Sequence, residues 1–147
     1  MTSRKIEKAA TAARVSEQKS LQAFSAGRKS HREKRAQLEQ LLQYKTDYET
    51  ALAERGSEGM EAGRLRDYRA FLARLNAAIE QQQRELAAAD GELKSKQAHW
   101  IASTKRTRAL DQLVDERQRE ELRVREKAQQ KQADEEATVR QFDRNNT

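Results

Sequence analysis

Two histidines are the residues best suited to metal binding or catalysis, and their spacing keeps them apart. The chain contains His31 and His99 and no cysteine. A structural metal site usually needs a cluster of about four ligands. In the helical hairpin that the hydrophobic pattern predicts, His99 lies opposite about residue 20, roughly 16 Å along the helix axis from His31. We therefore predict no metal site, and a solvated or packing role for both histidines.

Acidic residues and one glycine-rich segment are the other candidates for chemistry. Carboxylates alternate with Lys and Arg, as in LVDERQREELRVREK at 113–127, which favours exposed ion pairs over an acid–base pair. The segment GSEGMEAG at 56–63 lacks the Lys and the Ser or Thr with which a phosphate-binding loop holds phosphate and Mg²⁺. Because no nucleophile is paired with a base and no cofactor fingerprint occurs, we predict no catalytic residue, no cofactor and no enzymatic activity.

The N-terminal quarter of the chain is strongly basic. Residues 1–37 carry ten Lys or Arg and three acids, and the densest stretch is RKSHREKR at 28–35. This stretch could bind nucleic acid through phosphates, but it lacks the aromatics of single-strand binders, and groove-reading basic regions normally fork from a parallel dimer. It also lacks a bulky apolar face that could enter a membrane. We therefore expect an acidic protein partner or plain solvation, with no nucleic acid and no direct membrane insertion.

Composition predicts the kind of element that carries these residues. Of the 147 residues, 37% are charged and only 35% are hydrophobic, and proline is absent. A compact domain usually has nearly half of its residues apolar, so the chain is either disordered or built from long helices that share a narrow seam. No signal peptide and no apolar run of about 20 residues occurs. Together with the lack of cysteine, this predicts a soluble, cytoplasmic protein.

The apolar residues recur at a helical period, which favours long helices over disorder. In the second half, alternate steps of three and four residues follow a heptad pattern typical of a left-handed coiled coil. Its positions are Leu65, Tyr68, Leu72, Leu75, Ile79, Gln82, Leu86, Ala89, Leu93, Lys96, Trp100, Ser103, Thr107, Leu110, Val114, Arg117, Glu121, Val124 and Ala128. A weaker pattern in the first half uses Leu38, Leu42, Lys45, Glu49 and Leu52, with Leu21 and Phe24 further back.

Glycines separate the two patterns and predict a hairpin. Gly56 is a helix stop signal, and two helices joined by a short turn pack antiparallel. The predicted fold is all-α: a long antiparallel two-helix coiled-coil hairpin in a single domain, 1–147. Helix one spans about 3–55, the turn about 56–63 and helix two about 64–141, with a frayed C-terminal part. Facing residues have numbers that sum to about 119, so that Tyr48 lies near Phe71 and Trp100 covers Phe24.

Near the turn, the chain has more apolar residues than a two-helix seam needs. Such a seam uses about two apolar residues per heptad from each helix. The extra residues predict an exposed stripe of Leu41, Tyr44 and Tyr48 with Phe71, the edge of Leu75, and Ala78. The alternatives are a thicker local seam or two hairpins packed back to back. We favour a partner site, because exposed aromatic residues of this kind usually mark binding surfaces.

A succession of four segments and one tryptophan resembles the flagellar type III export protein FliJ family. In order, they are LLQYKTDYETAL at 41–52, YRAFLARLNAAIEQQ at 68–82, Trp100, KRTRALDQLVDERQ at 105–118 and QQKQADEEATVR at 129–140. The resemblance implies an antiparallel coiled coil similar to the rotor stalk of rotary ATPases. It implies a cytoplasmic, non-enzymatic component of flagellum assembly and motility, peripherally associated with the inner-membrane export apparatus.

The family resemblance also implies partners and the residues that contact them. The partners are the hexameric flagellar export ATPase, whose assembly and activity the stalk promotes, the membrane export gate protein, and export chaperones. By similarity, the gate-facing residues are Leu41, Tyr44, Tyr48, Phe71, Leu75, Ala78 and Gln82. The ATPase-facing residues are Arg4, Lys5, Lys8, Arg14, Arg123, Arg125 and Lys127. The alternatives are the equivalent stalk of a virulence-type secretion system and a generic coiled-coil scaffold.

Overall fold

The computed structural model describes residues 2–56, 59 and 61–146, which form two long helices. Helix α1 spans Ser3–Gly56 and helix α2 spans Ala62–Asn146. The two helices pack against each other, and no strand occurs among the described residues. The predicted all-α helical hairpin is therefore confirmed. Long helices are favoured here because the chain has no proline, the residue that most strongly breaks a helix.

The helix ends follow the distribution of capping residues and glycine. Before α1, the carbonyl oxygen of Thr2 accepts hydrogen bonds from the backbone N–H groups of Lys5 (3.1 Å) and Ile6 (3.3 Å). At the other end of α1, the backbone N–H of Gly59 donates to the carbonyl oxygen of Gly56 (3.4 Å). Gly59 has a φ of 85°, which glycine adopts without steric cost. The predicted turn lies partly outside the described residues.

Helix α2 is longer at both ends than the pattern predicts. It begins at Ala62, so that Gly63 is helical rather than part of the turn, and it continues to Asn146 rather than ending at 141. The extension at the C-terminal end has a simple cause, because neither glycine nor proline follows Gly91 to stop the helix. Fraying of the C-terminal part stays a prediction.

The chain divides into two compact units. One contains the described residues up to Gln18 together with those from Ala102 onward, and the other contains residues 19–101. The single domain predicted for 1–147 stays a prediction.

In the unit formed by residues 19–101, the helices run antiparallel. The Phe24 ring stacks on Trp100, with ring centroids 5.6 Å apart and planes 9° apart, and Tyr48 contacts Phe71. Rising residue numbers on α1 therefore meet falling numbers on α2. Both contacts were predicted from the pairing of facing residues.

The seam of this unit follows the predicted pattern on α2 and departs from it on α1. Every heptad position from Leu65 to Trp100 is buried or half-buried. On α1, Leu41 and Tyr48 are half-buried, whereas the predicted seam residues Leu42 (41% exposed) and Glu49 are exposed. The α1 prediction was wrong at Leu42 and Glu49, whereas Leu38, Lys45 and Leu52 are half-buried as predicted. Both rows share these three residues and differ only in the order of the three- and four-residue steps between them.

Polar side chains occupy several seam positions between Phe24 and Leu38. His31 contacts the Asp90 carboxylate, and Gln82 donates to the carbonyl oxygen of Lys34 (3.2 Å). At Gly27 the helices approach closely, since a Cβ there would lie 3.2 Å from the Lys96 Cδ atom. In this stretch, α1 therefore contributes polar and small side chains to the seam rather than bulky apolar ones.

The unit that contains the chain ends has a narrow core of one isoleucine and several smaller residues. Ile6, Ala10 and Ala13 on α1 are buried, and Thr107 is buried on α2. Ion pairing and hydrogen bonding join the flanks: Arg14 Nη1 lies 2.5 Å from an Asp111 carboxylate oxygen, and Gln118 Nε2 donates to Glu7 (2.6 Å). The order of these contacts is again antiparallel.

The α2 seam ends at Val114, the last of its predicted positions that is half-buried. The continuing positions Arg117, Glu121, Val124 and Ala128 are exposed, as is every described residue from 115 to 146. The cause is the length of α1, which begins at Ser3 and already has Glu7 beside Gln118. The pattern on α2 therefore continues beyond the partner that would cover it.

Candidate partner-binding surface

Four aromatic residues near the glycine-rich segment form one cluster across the two helices. The aromatic cluster consists of Tyr44 and Tyr48 on α1 and Tyr68 and Phe71 on α2. Tyr48 lies at its centre, with its ring centroid 4.9 Å from Tyr68 and 4.4 Å from Phe71. The rings of Tyr44 and Phe71 meet edge to face at 6.0 Å. Such pairs contribute about 0.5–1.5 kcal/mol each beyond the area that they bury.

A hydrogen bond fixes the edge of the aromatic cluster near the end of α1. Arg55 Nη1 donates to the Tyr68 hydroxyl oxygen at 2.7 Å. Arg55 lies in the last turn of α1, where a positive charge also interacts favourably with the helix dipole. The end of α1 is therefore tied to the first turns of α2 through the aromatic cluster.

The surroundings of Tyr48 favour the neutral form of its phenol. Removal from water raises the pKa of the Tyr48 hydroxyl above its ordinary value of 10.0, and the neighbouring Tyr68 and Tyr44 raise it further. The charge of Arg74 acts in the opposite direction, and Asp67 adds a smaller increase. Tyr48 is therefore uncharged at neutral pH, and its hydroxyl can donate a hydrogen bond to a partner.

The outer side of the aromatic cluster is open to solvent. Tyr44 is 53% exposed, whereas Tyr48, Tyr68 and Phe71 are half-buried. The Tyr44 ring packs against Phe71, so its position is already restricted and it loses less side-chain entropy when a partner binds. This arrangement suits the binding of an apolar or aromatic group of another protein.

The structure brings most of the predicted gate-facing residues together but does not make them one exposed stripe. Leu75 is only 7% exposed and belongs to the seam, and Leu41 is half-buried in the α1 seam. Gln82 is half-buried, because its amide nitrogen donates to the Lys34 carbonyl and to Gln37 Oε1. The predicted continuous exposure is therefore wrong at Leu75, where the edge of the side chain is covered. The binding role of the set stays a prediction.

The seven predicted ATPase-facing residues all belong to the unit that contains the chain ends. Arg4, Lys5 and Lys8 are exposed on the first turns of α1, and Arg14 pairs with Asp111. On α2, Arg125 and Lys127 are exposed, and Arg123 pairs with Glu120 of the same helix. Their binding role also stays a prediction.

Tyr68 and Arg55 are members of the site that sequence reasoning missed. Tyr68 occupies a predicted seam position and is therefore not among the residues predicted for the exposed stripe. The signal was its spacing, since Tyr68 and Phe71 are three residues apart and share a helix face. No sequence signal assigned Arg55, because its contact joins the two sides of the predicted turn.

No group of three or more His, Cys, Asp or Glu side chains that could hold a metal ion occurs among the described residues. In the part of the chain that the structure describes, no helix is long and apolar enough to span a membrane. An open face of α2, lined by residues from Val124 to Val139, forms a shallow concave surface.

Comparison with known proteins assigns a family. The family model described as "Flagellar FliJ protein" matches residues 3–147, essentially the whole chain. No curated protein and no solved structure gave a significant match.

Proposed function

Because this chain belongs to the flagellar FliJ protein family, we propose that it is the stalk of the flagellar type III export apparatus. Membership indicates a component of flagellar protein export, in a family that is non-catalytic. In this proposal, the stalk binds the hexameric export ATPase and promotes its assembly and activity. It also couples the ATPase to the membrane export gate and to export chaperones, which places it at the inner-membrane apparatus as a peripheral component.

The observation that carries the proposal is the aromatic cluster. A two-helix protein needs apolar residues along its seam, but it does not need Tyr44 with half of its surface in solvent. Phe71 packs against Tyr44 and is itself packed against Tyr48. A preorganised aromatic surface of this kind is the usual centre of a protein–protein interface. We assign this surface to the export gate.

The ATPase contact is assigned to the unit that contains the chain ends. Arg4, Lys5 and Lys8 are exposed there, and α2 residues 115–146 are exposed as well. This combination supports a contact that is partly electrostatic, so its strength should fall as the salt concentration rises.

The ATPase proposal is tested by ATP hydrolysis with the export ATPase below its assembly concentration, with and without this protein, at a fixed salt concentration. We expect hydrolysis to rise on addition of the protein, because a stalk that binds the hexamer stabilises it by mass action. The triple variant Arg4→Gln, Lys5→Gln and Lys8→Gln should weaken the effect. The matched triple Arg66→Gln, Arg84→Gln and Lys94→Gln, which removes equal charge from exposed α2 positions, should not. No rise in hydrolysis at any ratio would refute the stalk proposal.

The gate proposal needs a separate test, because the two surfaces belong to different units. Tyr44→Ala should weaken binding to the purified cytoplasmic part of the export gate protein while leaving ATPase stimulation unchanged. Ile101→Ala is a matched control, since Ile101 is an exposed apolar residue (42%) of the same unit outside the aromatic cluster. Equal loss of gate binding in both variants would show that the cluster is not the contact.

A further inference from the structure

The basic stretch that the proposed function leaves unused has a defined arrangement on α1. Arg28, Lys29, Arg32 and Arg35 are all exposed and belong to the unit of residues 19–101. Residues at i, i+4 and i+7 share one helix face, and Lys29 lies at its edge. The basic flank, as we term these four residues, presents four positive charges along about 10 Å of helix.

Little within the protein neutralises the basic flank. Arg28 lies over the Phe24 ring, 5.8 Å from its centroid, which orients the guanidinium without removing its charge. Arg35 approaches Glu39 at 3.7 Å, but both side chains are about two-thirds exposed, and such pairs contribute at most about 1 kcal/mol. Lys29 and Arg32 make no ion pair among the described residues.

The carboxylate on the neighbouring helix is already engaged. Asp90 of α2 contacts His31, which lies between Arg28 and Arg35 in the α1 seam. The basic flank therefore keeps its positive potential towards solvent, although an acidic residue of α2 lies close to its inner edge.

Leucines border the basic flank at both ends. Leu21, Arg28, Arg35 and Leu42 follow one another at seven-residue steps and so lie in one row beside the seam. Leu42 is 41% exposed and Leu21 is half-buried. The two leucines are about 31 Å apart along the helix. The row thus reads apolar, basic, basic, apolar over a length that suits a partner helix of six turns.

We infer that this row is a docking surface for an acidic amphipathic helix of another protein, with carboxylates against the basic flank and an apolar residue against each leucine. Charge complementarity identifies the partner as acidic, and the heptad spacing of the two leucines identifies it as helical. A nucleic acid would contact the basic residues through its phosphates and leave Leu42 without a role. A membrane would need a continuous apolar face. Because Leu42 and Tyr44 lie on opposite sides of the seam, this inference does not rest on the proposed function.

The absence of cysteine makes the surface directly testable in the full-length chain. Ser25→Cys places a fluorophore on the side of the basic flank, and Ser30→Cys places one on the opposite side of α1. The probe is a synthetic helical peptide with two leucines 21 residues apart and glutamates in the intervening positions of the same face. The control probe is the same peptide with lysine in place of glutamate.

We expect the acidic peptide, and not the basic one, to change the fluorescence of the label at position 25 in a saturable way, with little change at position 30. Arg28→Gln, Arg32→Gln and Arg35→Gln together should weaken binding about tenfold, since each ion pair contributes modestly. The matched triple Arg66→Gln, Arg84→Gln and Lys94→Gln should leave binding nearly unchanged. Leu42→Ala should weaken binding without altering its salt dependence.

Three results would overturn the inference. The first is no saturable binding of the acidic peptide. The second is equal weakening by the two charge-removing triples, which would indicate general attraction to a positive protein. The third is tighter binding, with the same dependence on the basic flank, to duplex DNA or to vesicles of anionic phospholipid, which would assign the surface to a different class of partner.

Discussion

Replacing Phe71 by alanine tests whether the aromatic cluster contributes to the stability of the helix pair. The ring of Phe71 is half-buried and contacts Tyr48 at 4.4 Å and Tyr44 at 6.0 Å. Truncating a fully buried Phe costs about 3–5 kcal/mol. A half-exposed ring should lose about half of that, so we expect the free energy of unfolding to fall by about 2 kcal/mol.

The measurement is urea unfolding followed by far-ultraviolet circular dichroism at fixed protein concentration. Before the transition, the Phe71→Ala variant should keep the helical signal of the parent, because alanine is the best helix former. Phe142→Ala is the matched control. Its ring is 65% exposed, so its truncation should change the free energy of unfolding by less than about 0.5 kcal/mol.

Equal changes in the free energy of unfolding of the two variants would refute the reasoning, because they would mean that Phe71 contributes no more stability than an exposed ring. Loss of the helical signal before the transition would refute it in the other direction, by making Phe71 essential to the fold. From the sequence alone, Phe71 is expected to contribute to partner binding and little to folding. Its contacts with two tyrosines predict that it contributes to both.

Three further predictions concern other parts of the chain. Gly91→Ala should stabilise the protein by about 1 kcal/mol in urea unfolding, since a Cβ at this helical position meets open space; Gly27→Ala should gain less, because Lys96 must move. Removing residues 119–147 should leave the urea midpoint nearly unchanged, because the described residues of that segment are exposed, while a large fall would reveal contacts that matter. In a tyrosinate absorbance titration, Tyr48→Phe should remove a step that titrates above pH 10.0. Because the pKa of Tyr48 is raised in the folded state, its contribution to stability is complete below pH 10.0 and is lost as the pH rises through its folded value.

The α2 seam could be predicted residue by residue because its apolar residues allow one heptad register. On α1, two rows fit equally well between Leu38 and Leu52: one through Leu41 and Tyr48, the other through Leu42 and Glu49. Both begin and end at the same residues, and only the partner helix decides between them. Phe71 packs against Tyr48, which selects the first row and leaves Leu42 exposed.

The candidate site shows the same limit. Exposed aromatics and their neighbours could be found from their surplus over what a seam needs, and Tyr48 opposite Phe71 followed from antiparallel pairing. Leu75 was expected in the seam with one edge exposed; that this edge is covered, and that Arg55 donates to Tyr68, could not be predicted, because each depends on how far one helix is rotated towards the other. A rotation of this kind changes exposure without changing the residue pairing.

The exposed part of α2 beyond Val114 has a consequence for exchange of its amide hydrogens. Apart from the contact of Gln118 with Glu7 of α1, its helical hydrogen bonds are supported by pairs within one helix, such as Arg119 with Asp115 and Arg140 with Glu136. Single-helix pairs contribute only about 0.2–0.5 kcal/mol each. Amides in this segment should therefore exchange through local opening, far faster than those beside Ile79 or Ala89. Binding of a partner around this segment would therefore slow the exchange of its amide hydrogens.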